Sequence, residues 1–197
     1  SVKPIPTRDA RAALKARFGS VGGWADQTVR LLREHGFRGA GAWSDTDALR
    51  AAEPPLVYSL QWNFMSSYGR KRGGTYQQPG HTGYPSDCIF VFDPEFETFC
   101  EEHARQLAAT RDDPWLLGHY SDNELPFKRE ALRNYLRLPE SDPGHQAASD
   151  WLRQRHGPRA SLDDVTPRDE LDFLEFMAER YFRIVSRAIR KHDPNHL

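Results

Sequence analysis

Apolar positions along the chain fall into two alternating patterns, a helical periodicity and short continuous runs of strand length. Residues 9–18 read as a short helix and Trp24 to His35 as a second, with Val29, Leu31 and Leu32 giving a partial apolar face. Gly36 follows where a left-handed cap would sit. The small-residue run FRGAGAW (37–43) fits a buried strand. Ser44 and Asp45 are turn or cap residues before a brief helix over 46–52, which Pro54-Pro55 stops. LVYSLQWNF (56–64) is the next strand. The stretch SSYGRKRGGTYQQPGHTGYPSDC (66–88) shows neither pattern. Irregular stretches beyond about 12–15 residues are usually functional or disordered.

Asp93-Pro94 then opens a helix, with the aspartate as cap and the proline in its first turn. Its stripe is Phe96, Phe99, Cys100, His103 and Leu107. WLLGHY (115–120) is the third strand and runs directly into SDNELPF. Helical pieces follow around 128–137 and 145–156, with Asp142-Pro143-Gly144 read as a turn. Thr166-Pro167 caps the longest helix, 167–192, whose stripe carries Leu171, Leu174, Met177, Tyr181, Ile184, Val185 and Ile189. Asp193-Pro194 closes it, and a further strand is expected to begin at Leu197.

Strands alternating with helices imply an α/β fold with a parallel sheet. Three strands are too few for a complete eight-stranded barrel, which takes about 250 residues. The order therefore reads as a partial (β/α) TIM-type barrel over a single domain, 1–197, lacking C-terminal strands and carrying a helical insertion at 128–165. A small non-barrel α/β domain is the alternative.

Composition narrows the partners. With 38% hydrophobic residues and 5 Trp, 7 Tyr and 11 Phe, the chain has a globular rather than a disordered make-up. Lys plus Arg is 27 and Asp plus Glu is 28, a formal charge of −1, so nothing draws the chain as a whole to nucleic acid or to an anionic membrane. No apolar run approaches the roughly 20 residues of a membrane span. The N-terminal SVKPIPTRDAR lacks the apolar core of a signal peptide. Cys88 and Cys100 read as two unlinked thiols. Arg70-Lys71-Arg72 reads as part of a solvated or sugar-facing loop.

In parallel α/β folds the carboxyl ends of strands carry the chemistry. Three polar clusters stand there: Trp43-Ser44-Asp45, Gln61-Trp62-Asn63, and His119 through Glu124. In the third, extended backbone would put Asp122 and Glu124 on one face and turn Asn123 away. A carboxyl group at that mouth can act as a general acid, or the cluster can be a solvated turn that caps a helix. A metal site from His119, Asp122 and Glu124 has no recognised spacing, and no metal or cofactor is called for.

LLGHYSDNELPF resembles the fourth-strand motif of agarase-type glycoside hydrolases, members of the clan of retaining barrel glycosidases. GFRGAGAWSD is similar to the family's second strand, and ERYFRIVSRAIRKHDPNHL to the helix before its fifth. The resemblance implies a β-glycosidase acting on a polysaccharide, with Glu124 as acid/base and Asn123 binding the sugar hydroxyl beside the anomeric carbon. Trp43 and Trp62 fall where barrel loops offer aromatic platforms, or else pack in core or rim. Asn63, His119 and Asp122 join the candidate substrate-binding set; Asp122 either orients Glu124 or caps a turn. Tyr76 and Tyr84 are candidates for an outer sugar subsite. Retention needs a second carboxyl about 5–5.5 Å from the first. In the clan it comes from the seventh strand, so no nucleophile is assigned here, and Asp45, Asp87 and Asp93 have no motif for that role. Secretion or a periplasmic location follows from the resemblance alone. A non-catalytic carbohydrate-binding or assembly module is the competing reading, and exposed barrel edges would favour a homo-oligomer.

Overall fold

The computed structural model describes residues 7–197; the start of the N-terminal segment read for a targeting signal, residues 1–6, lies outside them. The chain divides into two compact units. The first is built from the residues up to Gln61, Asp112–Tyr120 and His196–Leu197; the second from Trp62–Arg111 and Ser121–Asn195.

The first unit holds helices α1 (Thr7–Phe18), α2 (Val21–Glu34) and α3 (Thr46–Arg50), and a sheet of β1 (Gly39–Ala40), β2 (Val57–Gln61) and β5 (Leu116–Tyr120). The sheet is parallel in the order β1-β2-β5, with Gly39 opposite Val57 and Ser59 opposite Gly118. The expected strand over 37–43 shrinks to two residues, because Gly39 and Gly41 offer no side chains to pack and Trp43 turns to a φ of 67°. The strand expected over 56–64 stops at Gln61, where Asn63 leaves extended geometry at φ 54°.

A small core joins α2 to α3 and the approach to β2: Ala25, Val29, Leu49, Ala52 and Leu56 are buried together. Asp113 ties the start of β5 to its neighbours, accepting from Tyr58 Oη at 2.8 Å and Arg50 Nη2 at 2.9 Å. Burial opposes charge on Asp113, but the Trp115 N–H, Tyr58 and Arg50 outweigh it and hold the carboxyl below its usual range. On the free edge of β5, Leu197 N donates to Leu117 O at 3.3 Å and Leu197 O accepts from His119 N at 2.8 Å. Leu197 thus sits in the ladder where a further strand was expected. Gly118 allows the approach, since a Cβ there would lie 2.4 Å from Leu197 O.

The second unit is mostly helical. It contains α4 (Phe64–Arg72), a hairpin of β3 (Tyr76–Gln78) and β4 (His81–Gly83), then α5 (Phe96–Ala104), α6 (Ala131–Leu136), α7 (Pro143–His156) and α8 (Pro167–His192). The stretch expected to be irregular is therefore ordered. Phe64, Met65 and Tyr68 form a buried stripe that begins just before it, and Pro79-Gly80, with Gly80 at φ +85°, turns the hairpin. The basic run is the last turn of α4, not a loop. There Arg72 pairs with Asp93 and, at 3.0 Å, with Asp142.

Asp93 does not cap α5. It is buried, pairs with Arg72 and accepts from Tyr68 Oη at 3.2 Å, while α5 begins later, at Phe96. Asp142 does not make a plain turn either, because its Oδ1 accepts from Gly144 N at 2.8 Å and starts α7. Helix α8 matches its expected bounds and opens with a reciprocal capping box between Thr166 and Asp169. Its buried stripe is Phe173, Met177, Tyr181, Ile184, Val185 and Ala188, while Leu171 of the expected stripe is 41% exposed. Cys88 and Cys100 are free and buried, and burial pushes both thiols up. Among the described residues no helix is long and apolar enough to cross a membrane.

Candidate active site

Each strand of the parallel sheet is followed within four residues by a residue other than glycine with positive φ. Trp43 follows β1 at 67°, Asn63 follows β2 at 54°, and Glu124 follows β5 at 48°. Left-handed backbone is tolerable for asparagine and costly for a bulky tryptophan. Such strain persists only where the surrounding structure imposes it, and it clusters at functional sites. All three residues come from the polar clusters singled out in the sequence.

The segment after β5 does not continue extended, so Asp122 and Glu124 do not share a face. Asp122 turns inward and Glu124 outward. Asp122 Oδ2 accepts from Met65 N at 2.9 Å and Tyr181 Oη at 2.6 Å, and Oδ1 accepts from Ser66 N at 3.3 Å. The aspartate is thus the missing cap of α4, whose own N-cap residue, Asn63, makes no side-chain capping bond. Burial pushes the Asp122 carboxyl up to about 6, against the opposing pull of the Met65, Tyr181 and Ser66 hydrogen bonds. With both oxygens engaged by these donors, Asp122 is a poor ligand for the metal alternative.

Glu124 has a side chain that is 64% exposed. It projects into a cleft of about 420 Å³ whose walls include Gln78, His81, Asp87, Phe127 and Lys128. His81 Nδ1 approaches Glu124 Oε2 at 3.1 Å. Lys128 Nζ and Asp87 Oδ2 pair across the same cleft at 3.8 Å. His81 and Lys128 were missed from sequence. The available signal was the Pro-Gly pair between YQQ and HTG, which marks a hairpin and puts His81 directly after its turn.

The other candidates are spread over the two units. In the first, Trp43 is 74% exposed, as a platform for a ring would be. His119 is half-buried, its ring 6.2 Å from that of His196 and edge-on to it. In the second, Trp62 packs half-buried on the helical core, its carbonyl 2.8 Å from His103 Nε2, while Asn63 and Asn123 are half-buried. Tyr76 is exposed but Tyr84 is buried, so Tyr84 cannot line an open subsite. Asp45 caps α3 through Ala48 N.

No protein-family model matches the chain. Beta-agarase B of Vibrio sp. (strain JT0107) is 23% identical over 217 residues, covering 88% of this chain and 21% of the relative. Among solved structures, BpGH50 superposes with a TM-score of 0.78 at 23% identity, over 95% of this chain and 43% of its own. A structure described as an exo-beta-agarase gives 0.67 at 21% identity, over 93% of this chain and 29% of its own. The agarase AgWH50C also gives 0.67, at 20% identity and over the same 29% of its own length. The class these findings define is an α/β fold shared with part of those agarase structures. The particular resemblance, to agarase-type glycoside hydrolases, is shown as a resemblance. The chain spans about a fifth of the curated relative and less than half of each solved one.

Proposed function

We propose that this chain supplies the acid/base side of a partial barrel in an agarase-like glycoside hydrolase. It would cleave β-glycosidic bonds of a polysaccharide with retention. Glu124 is the acid/base and Asn123 the neighbour that binds the sugar hydroxyl; Trp43, Trp62, Asn63, His119 and Asp122 line or support the substrate path. The observation that carries the reading is Glu124 itself. Its backbone is held left-handed four residues after a parallel strand, and its carboxylate projects into an open cleft. Likeness to agarases in sequence and fold supports the same reading.

The test is incubation of the purified protein with agar and other β-linked oligosaccharides, with products separated by chromatography. Turnover is expected to fall at least about a hundredfold in Glu124→Gln, the loss of a positioned general acid, with sugar binding kept. Unchanged turnover in that variant would overturn the assignment. A carbohydrate-binding module is the second reading. It is favoured because Asp45, Asp87 and Asp93 are engaged by the Ala48 N–H, Lys128 and Arg72, which leaves the nucleophile unassigned. Oligosaccharide affinity kept in Glu124→Ala, with no turnover even when the nucleophile half of the barrel is supplied, would select it.

A further inference from the structure

We infer that His81 is a positioning residue for Glu124, holding its carboxylate against the cleft wall through Nδ1. The inference rests on the acid/base reading of Glu124 and deepens it. Nδ1 of His81 is buried, finds no well-directed hydrogen-bond partner, and lies 3.1 Å from Glu124 Oε2. A bare ring nitrogen facing a carboxylate at that distance would be repelled, so the proton belongs on Nδ1. The approach is off the hydrogen-bond axis, and a small turn of the exposed carboxylate completes it.

The hairpin is built to make this delivery. Gln78 and His81 are register partners at the turn, so the ladder fixes His81 immediately beyond Pro79-Gly80. Gly80 serves the turn through its left-handed backbone, φ +85°, and lies next to the carboxylate, since a Cβ there would meet Glu124 Oε2 at an ordinary 4.0 Å. The remaining charged groups lining the cleft, Asp87 and Lys128, pair with each other. They therefore do not compete for the pair. Glu124, on left-handed backbone and largely exposed, needs such an anchor to present one oxygen to a leaving group. A carboxylate displaced by about 1 Å can lose up to a hundredfold in rate.

Two measurements test the inference. The ¹⁵N spectrum of His81, taken at mildly alkaline pH where ordinary imidazoles are neutral, is expected to show the Nδ1–H tautomer. Glu124→Ala should shift it toward Nε2–H. An Nε2–H ring in the unaltered protein overturns the inference. On agar oligosaccharides, His81→Ala is expected to lower kcat about tenfold with KM within about twofold. His81→Asn, whose amide nitrogen reaches the Nδ1 position, should recover to within about threefold of the original rate. Equal losses in the two variants would mean a packing role and overturn it. If Glu124→Gln is dead and His81→Ala turns over at full rate, only this inference falls. If Glu124→Gln remains active, the acid/base reading falls and this inference with it.

Discussion

Asp122 and Glu124 are two positions apart and meet opposite environments. Glu124 is in solvent beside an imidazole, whereas Asp122 is half-buried and faces three donors, yet loss of solvent pushes its carboxyl up to about 6. Burial costs the charged form more than those hydrogen bonds return. A folded-state value above the ordinary 3.8 means that folding favours the protonated form. The stability Asp122 contributes is thus fully present below about pH 4 and is lost as pH rises through about 6. A difference of about two units corresponds to about 3 kcal/mol. Urea titrations of the unaltered protein and Asp122→Asn should show the difference in their stabilities shifting by about that amount between pH 3.5 and 7, against the unaltered protein. A pH-independent difference would refute this. The sequence made Asp122 visible as a polar residue at a strand mouth and left open whether it orients Glu124 or caps a turn. It caps a helix 56 residues earlier in the chain, a long-range pairing that no local pattern encodes.

At the scale of elements, legibility followed the locality of the signal. Helix α8 was readable to the residue because Thr166, Pro167 and Asp169 carry the N-terminal signal and the stripe beyond them has regular helical spacing. Helix α4 was missed because its cap comes from Asp122 and its stripe begins outside the loop-like stretch. Helix α6, which lies within the helical piece read around 128–137, also takes a cap from another element, Leu132 N donating at 2.9 Å to Glu170 of α8. Asp93 misled in the other direction, since a good capping sequence was taken by a buried pairing with Arg72. If the Thr166 box sets the start of α8, Thr166→Ala should cost about 1 kcal/mol of unfolding free energy. Circular dichroism in urea measures it, and a cost near zero would mean that the packed stripe alone fixes the helix.

Across the molecule, the two units differ in how much apolar surface they remove from water. In the second, twenty-four buried residues from Phe64 to Ala188 form one cluster, with rings from Phe92, Tyr135 and Phe173 packed within 6 Å of one another. In the first, among the described residues, five buried residues form the cluster around α2 and α3, and β1 is two residues long. The sequence showed the strand order and the parallel sheet. It did not show this imbalance, because Phe92 packs on Tyr135 of α6 and Phe173 of α8, and Phe96 on Tyr181 of α8, far along the chain. Local stability follows buried contact density, so the imbalance predicts a graded response. In native-state hydrogen exchange, amides of α5, α6 and the middle of α8 should open only near global unfolding. Amides of α2, α3 and β1 should exchange through openings several kcal/mol cheaper. If the proposed function holds, the same experiment with an agar oligosaccharide present should slow exchange around Gln78, His81 and Glu124, which line the cleft of the second unit. Uniform protection would mean that the small cluster is as firmly held as the large one.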